Sequence, residues 1–248
     1  MKKRSIKKYM FSGLCCLLML SLAACQSGKV PEENDEVLSI TVESWQEVTE
    51  LDALGAPGSK AVLNRIQLSG SFYEENDLLH DINEDMESQV QDYLQQKADN
   101  DDMLYEADNS LTFEHELNYE LAYYDGYASR YSTLASIVVR GYDRCSDAAH
   151  SAEYSMAYVY DVSTGKQVLL ADILGEDYRQ LLGEAIVEQI RAAGEEDNYY
   201  PGYDELIRNH LNGNNWYVDG KYIKVLFDPY EIAPGTLGVL EFSYQYWQ

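Results

Sequence analysis

The chain has 248 residues, with 43 acidic against 18 basic side chains, a formal net charge of −25 and 46% hydrophobic residues. That excess of negative charge repels nucleic acid and anionic lipid, so electrostatic binding to either is excluded, whereas a cationic partner is attracted. The charge could also serve only to keep an exposed envelope protein soluble.

The first 24 residues read as an export signal. Lys2, Lys3, Arg4, Lys7 and Lys8 form a basic n-region, and Met10 to Leu22 is an apolar run too short for a comfortable membrane span. Leu22-Ala23-Ala24-Cys25 then reads as a lipobox. In bacterial lipoproteins such a cysteine receives a diacylglycerol on sulfur and becomes the new N-terminus, which predicts a lipoprotein signal peptide over 1–24 and lipidation at Cys25. An ordinary signal peptide with an incidental cysteine is the alternative. Two acyl chains suffice for stable anchoring, so the expected location is extracytoplasmic, on the outer face of the cytoplasmic membrane. The leader holds five basic residues and no acid, so its removal takes the net charge from −25 to −30.

Cys15 and Cys16 leave with such a leader and Cys25 carries lipid, so Cys145 alone remains. An intramolecular disulfide and a cysteine-rich zinc site are excluded. Stability must come from a core, and a chain of about 220 residues buries roughly 70% of its unfolded surface.

Residues 25–37 are polar and contain Gly28 and Pro31, as suits a flexible tether. Leu38, Ile40 and Val42 alternate with Ser39 and Thr41, the period of a half-buried strand, and Val62 to Tyr73 reads as another. Between them, Leu54 to Ser59 is dense in turn residues. From Asn76 to Lys97 the period changes: Leu78, Ile82, Met86, Val90 and Leu94 recur every four residues. This predicts an amphipathic helix, capped by Asn76 or Asp77 and terminated by the acidic run Asp99 to Asp102.

Leu111 to Tyr123 alternates apolar and aromatic residues with polar ones, one face packing and the other facing water. Strands over Tyr131 to Tyr142 and Tyr154 to Val162 follow, giving an antiparallel meander. Asp177 to Ala193 and Tyr203 to Leu211 restore the helical period. Trp216 to Val218 and Tyr222 to Phe227 flank Asp219-Gly220, a hairpin signal predicting positive φ at both turn positions, and Val239 to Tyr246 is a last strand. The predicted class is α+β: antiparallel sheet with packed amphipathic helices, in two intimately associated modules over 38–125 and 126–248.

No catalytic constellation stands out. With 43 acids almost any carboxylate pair can be drawn, so spacing identifies no acid/base couple. His80, His115, His150 and His210 are isolated, and the sequence after His115-Glu116 lacks the second histidine of the His-Glu-x-x-His zinc pattern. The Asp99 to Asp102 run lacks the glycine and downstream glutamate of an EF-hand. There is no Gly-x-Ser-x-Gly elbow and no phosphate-cradling loop, and Cys145 with His150 lacks a third orienting residue. No cofactor and no metal are expected. The 22 tyrosines against five phenylalanines fit cross-strand packing, with some left for recognition of a protein or a sugar chain.

Several motifs fall in a specific order: Ser129-Arg130-Tyr131-Ser132, Asp147-Ala148-Ala149-His150, Tyr160 to Lys166 with Asp172-Ile173-Leu174 behind it, then Val225 to Pro234 and Gly238. In this order they resemble the extracytoplasmic domain family of the lysozyme-sensing anti-sigma factor RsiV, which also forms the accessory region of PdaC-type peptidoglycan deacetylases. Ala61 to Leu121 resembles the companion module that precedes it. The resemblance covers roughly residues 40 to 247. No Thr-Phe-Asp-Asp-Gly-Pro motif of the deacetylase domain is present, so it implies no catalysis. It implies a non-catalytic, outward-facing binding module for lysozyme or another cationic wall-directed protein. A peptidoglycan- or polysaccharide-binding module is the alternative, with an envelope hydrolase third. The expected contact is the loop 229–238, with Pro229, Tyr230, Glu231 and Pro234 as binding residues together with His150.

Overall fold

The computed structural model describes residues 8–9, 40–51, 58–70, 73–125, 134–148, 151–162, 164–211 and 213–246. Cys25, the tether and His150 lie outside these residues, so the expectations for them are not addressed by the fold.

The framework is a seven-stranded sheet whose strands lie in sequence order: β1 (Lys8–Tyr9), an edge pair inside the segment read as the leader, then β2 (Ile40–Glu50), β3 (Lys60–Gly70), β4 (Phe113–Asp125), β5 (Leu134–Cys145), β6 (Ala152–Asp161) and β7 (Lys166–Gln167). All neighbours are antiparallel except β3 and β4, which run parallel over Lys60–Asn64 and Glu114–Asn118. A parallel pair needs a long crossover. Here it is α1 (Tyr73–Ala107), a helix of 35 residues packed on β3. The meander read from sequence runs unbroken from β4 to β6, and the β-α-β unit lies ahead of it.

The helix begins at Tyr73, so the expected caps Asn76 and Asp77 lie inside its first turns, and it continues past the expected stop. Leu79, Ile82, Met86, Val90, Leu94 and Ala98 are buried against the sheet, and the next turn places Asp101 and Asp102 in the same stripe at 2% and 8% exposure. The acidic run does not terminate the helix, because the sheet supplies a partner: the Asp101 carboxylate bonds His115 of β4. Where β3 leaves β4, α1 substitutes for the missing strand. The Asn83 side chain accepts from the Leu68 N–H at 2.9 Å and donates to the Leu68 carbonyl at 2.8 Å.

The two faces of the sheet bury two cores. Ala61, Leu63, Leu117, Ile137, Val139, Tyr158 and Tyr160 pack toward α1. On the other face Leu134, Val138, Ala157 and Val159 meet a second layer. That layer consists of α2 (Leu170–Leu174), α3 (Tyr178–Ala193), α4 (Tyr203–His210) and a three-stranded antiparallel sheet of β8 (Trp216–Asp219), β9 (Tyr222–Phe227) and β10 (Leu240–Gln245). Residues 134–139 of β5 are buried on both sides, so β5 reads as a continuous apolar run rather than an alternating one. The fold is α+β, as composition and periodicity predicted.

The β8–β9 hairpin differs from expectation by one residue. Asp219 pairs with Tyr222, so the turn is Gly220-Lys221, and Gly220 alone adopts positive φ, at 58°. This is the pattern of a turn with glycine in its first central position rather than one needing two left-handed residues. Among the described residues no helix is long and apolar enough to cross a membrane.

Candidate functional site

The loop after β9 is held at both ends before it exposes anything. The Asp228 N–H donates to Glu231 Oε2 at 2.8 Å while the Glu231 N–H donates to the Asp228 carbonyl at 3.2 Å, closing a tight turn. Ile232 and Ala233 are buried, and the Ile232 carbonyl accepts from the Tyr200 N–H at 3.0 Å. Pro234 is exposed and leads into a short 3-10 turn over Gly235–Leu237. At the crest, Tyr230 is 65% exposed with φ of 73°, the one positive-φ non-glycine among the described residues. Its ring lies against Gly235, where a β-carbon would fall 2.3 Å from the ring. Pro229 beside it is half-buried.

Glu231 serves the loop itself. Besides closing the turn, its Oε1 lies 3.1 Å from His210 Nδ1 at the end of α4. Asp228 sits between this acid and the sheet, accepting the Ser155 N–H of β6 at 2.7 Å. Burial pushes its carboxyl up to about 6, with the Glu231 charge adding and the Ser155 bond subtracting.

Beside the loop the second layer stops, leaving part of the sheet face open as a cleft of about 390 Å³ that Val239 walls on the loop side. Strand register arranges its floor in two rows. Glu116, Tyr142 and Glu153 lie opposite one another on β4, β5 and β6, and Asn118, Arg140 and Ser155 form the adjacent row. The Asn118 amide donates to Glu116 Oε1 at 3.1 Å and accepts from Asn64, while the Ser151 hydroxyl donates to the Tyr142 oxygen at 2.6 Å. Ser155 is 6% exposed, and its Oγ has no hydrogen-bond partner among the described residues.

On the opposite face lies a closed polar cluster. His115 Nδ1 is 2.8 Å from Asp143 Oδ1 and its Nε2 is 2.9 Å from Asp101 Oδ2. Lys97 pairs with Asp143 and Ser59 donates to Asp101. The Lys97 ammonium lies 5.1 Å from the Tyr154 ring centre, and that ring covers Gly141, whose missing β-carbon leaves the space. Burial opposes a charge on His115, yet the two carboxylates outweigh it and raise the imidazole to about 9. Burial likewise pushes Asp143 up, and the bonds from His115 and Lys97 overcome it, leaving the carboxyl below its ordinary value. This cluster clamps α1 to the sheet and is closed to a ligand.

Of the residues singled out from sequence, Pro229, Tyr230, Glu231 and Pro234 share one ordered loop. The cleft rows were not anticipated. Glu116 and Asn118 read as ordinary water-facing positions of an alternating strand, and the signal that could have drawn attention was Arg140 and Tyr142 following the apolar run of β5.

No curated protein matches the chain. Among solved structures, a member of the DUF3298 family from Bacteroides fragilis superposes with a TM-score of 0.56 at 17% identity, covering 84% of this chain and 90% of that one, and so shares its fold. A DUF3298 family protein from Pseudomonas aeruginosa aligns with a TM-score of 0.48 at 15% identity over 86% of this chain and 92% of its own. Residues 171–246, from α2 through β10, match the family model described as a protein of unknown function, DUF3298.

Proposed function

We propose that this chain is an extracytoplasmic lipoprotein anchored through Cys25, and that it works without catalysis of its own as a binding module for a cationic wall-directed protein such as lysozyme. The observation that carries this reading is Tyr230. A bulky side chain in the left-handed region costs about 1–2 kcal/mol, and such strain persists where surrounding structure over-determines it, often at sites that act. The ring is mostly in water, so the core gains little from it. A stiff, exposed aromatic on an anchored loop is the form of a protein-binding hot spot. The surplus of acids over bases supplies the steering field for a cationic partner.

Calorimetry of the full chain in detergent with lysozyme tests the reading. Binding is expected at micromolar concentration, with association slowed by salt because the Debye length is about 8 Å at physiological ionic strength. Tyr230→Ala should shorten the lifetime of the complex by tenfold or more while leaving the fold intact, a loss of about 1.4 kcal/mol or greater. Absence of binding in low salt defeats the proposal and favours the glycan-binding alternative. For the anchor, Cys25→Ala should release the protein from the membrane fraction, and unchanged membrane association would refute lipidation there.

A further inference from the structure

The open cleft between the sheet and Val239 has a charge pattern that neither the loop nor the fold requires. One row presents a tyrosine between two carboxylates, Glu116 and Glu153. The adjacent row sets Arg140 opposite Ser155, and both residues line the cleft. Arg140 forms no ion pair within 4 Å among the described residues, and Ser155, which lines the cleft, is 94% buried with its Oγ unpartnered. A buried hydroxyl left without a partner costs about 1–3 kcal/mol, which a ligand acceptor would recover.

We propose that this cleft binds a basic diamino acid, free or as the C-terminal residue of a peptide, through its side-chain ammonium and its carboxylate. The carboxylate takes two parallel bonds from the Arg140 fork and one from Ser155 Oγ. The ammonium lies over the Tyr142 ring between Glu116 and Glu153, where the ring face and both acids attract it. Glu116 is held for this role by the Asn118 amide at 3.1 Å. Spacing selects the ligand class. The rows are two residues apart along each strand, roughly 7 Å, so an ammonium and a carboxylate on the same carbon cannot reach both, whereas a four- or five-carbon chain does. Val239 lines the same cleft and offers apolar contact to those methylenes. A neutral sugar would leave Arg140 without the anionic partner its position invites. The inference stands apart from the proposed role of the Tyr230 loop, which lysozyme binding tests separately.

The experiment is calorimetric titration of the full chain with L-lysine, 6-aminohexanoate, glycyl-L-lysine, hexanoate, pentylamine, glycine and an N-acetylglucosamine trimer. Lysine and 6-aminohexanoate are expected to bind at least tenfold more tightly than hexanoate, pentylamine or glycine. Glycyl-L-lysine binding as tightly as lysine identifies a peptide end as a ligand, and weaker binding identifies the free amino acid. Arg140→Gln should weaken lysine at least tenfold while leaving pentylamine unchanged, and Glu153→Gln should weaken lysine and pentylamine while leaving hexanoate unchanged. Such ligand-selective losses do not arise from a merely structural change. Failure of lysine and 6-aminohexanoate to bind at millimolar concentration overturns the proposal. So do pentylamine binding as tightly as lysine, equal losses for all ligands in either variant, and binding of the sugar trimer alone.

Discussion

His115 and His210 each sit against carboxylates, and the two settings treat the acids in opposite ways. At His115 the histidine stands between Asp101 and Asp143, with Lys97 on the far side, so two cations answer one buried and one half-buried anion. Asp143 is held below its ordinary value there, and the imidazole is lifted to about 9. At the loop, His210 reaches Glu231 as its one acidic partner among the described residues, and Asp228 behind it meets a second acid rather than a cation. That carboxyl is pushed up to about 6. Burial pushes both carboxyls up, and it is overcome only where cations answer it, at Asp143. One arrangement is a clamp, and the other stores unfavourable charge beneath an exposed loop.

The strongest way to break this contrast is to remove the clamp. His115→Phe leaves Asp101 buried without its cation, while half-buried Asp143 keeps Lys97, and should cost about 3–5 kcal/mol in urea unfolding, as when one partner of a buried pair is deleted. The wild-type pH profile carries the same information. A histidine whose folded value is raised stabilises fully below its unfolded value near 6.5, and this contribution is lost as pH rises through about 9. Asp143, with a lowered folded value, contributes above its unfolded value near 3.8 and loses that contribution as pH falls. The decline between pH 6.5 and 9 should flatten in His115→Phe.

A smaller effect is expected at the packing that shields the clamp. In Gly141→Ala the new β-carbon would lie 2.0 Å from the Tyr154 ring, which must move off Lys97, so the cost should be about 1–3 kcal/mol. A melting temperature unchanged by this substitution would show that the ring does not close the cluster.

The smallest effect has the opposite sign. A carboxyl with a raised folded value destabilises once ionised, so the Asp228 contribution is best below about 3.8 and is lost as pH rises through about 6. Asp228→Asn keeps an oxygen for the Ser155 N–H and removes the charge. It should raise stability at pH 7 by about 1 kcal/mol or less and flatten the slope between pH 4 and 6. Loss of stability at pH 7 would mean that ionised Asp228 holds the loop rather than burdens it.

How far these features could be read in advance depends on their range. The alternation in β4 and the four-residue stripe of α1 are local, and both elements formed where their periods placed them. α1 runs past its expected end, because Asp99-Asn100-Asp101-Asp102 looks like a solvated terminus unless a histidine 14 residues beyond Asp101 is known to face it. The parallel β3–β4 pairing was likewise hidden, since no local pattern distinguishes a strand with a parallel neighbour on one side. The loop was legible from its prolines and glycines, although Glu231 turned inward. The cleft could not be read at all. Its two rows exist through the register of three strands, and shifting one strand by a residue would turn its members to the other face.

The parallel pairing also dictates an order of events. During synthesis β2 and β3 emerge together, but the inner edge of β3 finds its partner only when Asn118 appears, 54 residues after Asn64. Until then that edge stays unpaired, and another chain could pair with it. Asn83 arrives earlier and occupies the Leu68 backbone groups, so the upper part of the edge is covered before β4 is made. A single amide on a helix thereby acts as a temporal guard against aggregation, and its removal would be felt in the yield of folded protein before it was felt in the stability of the finished one.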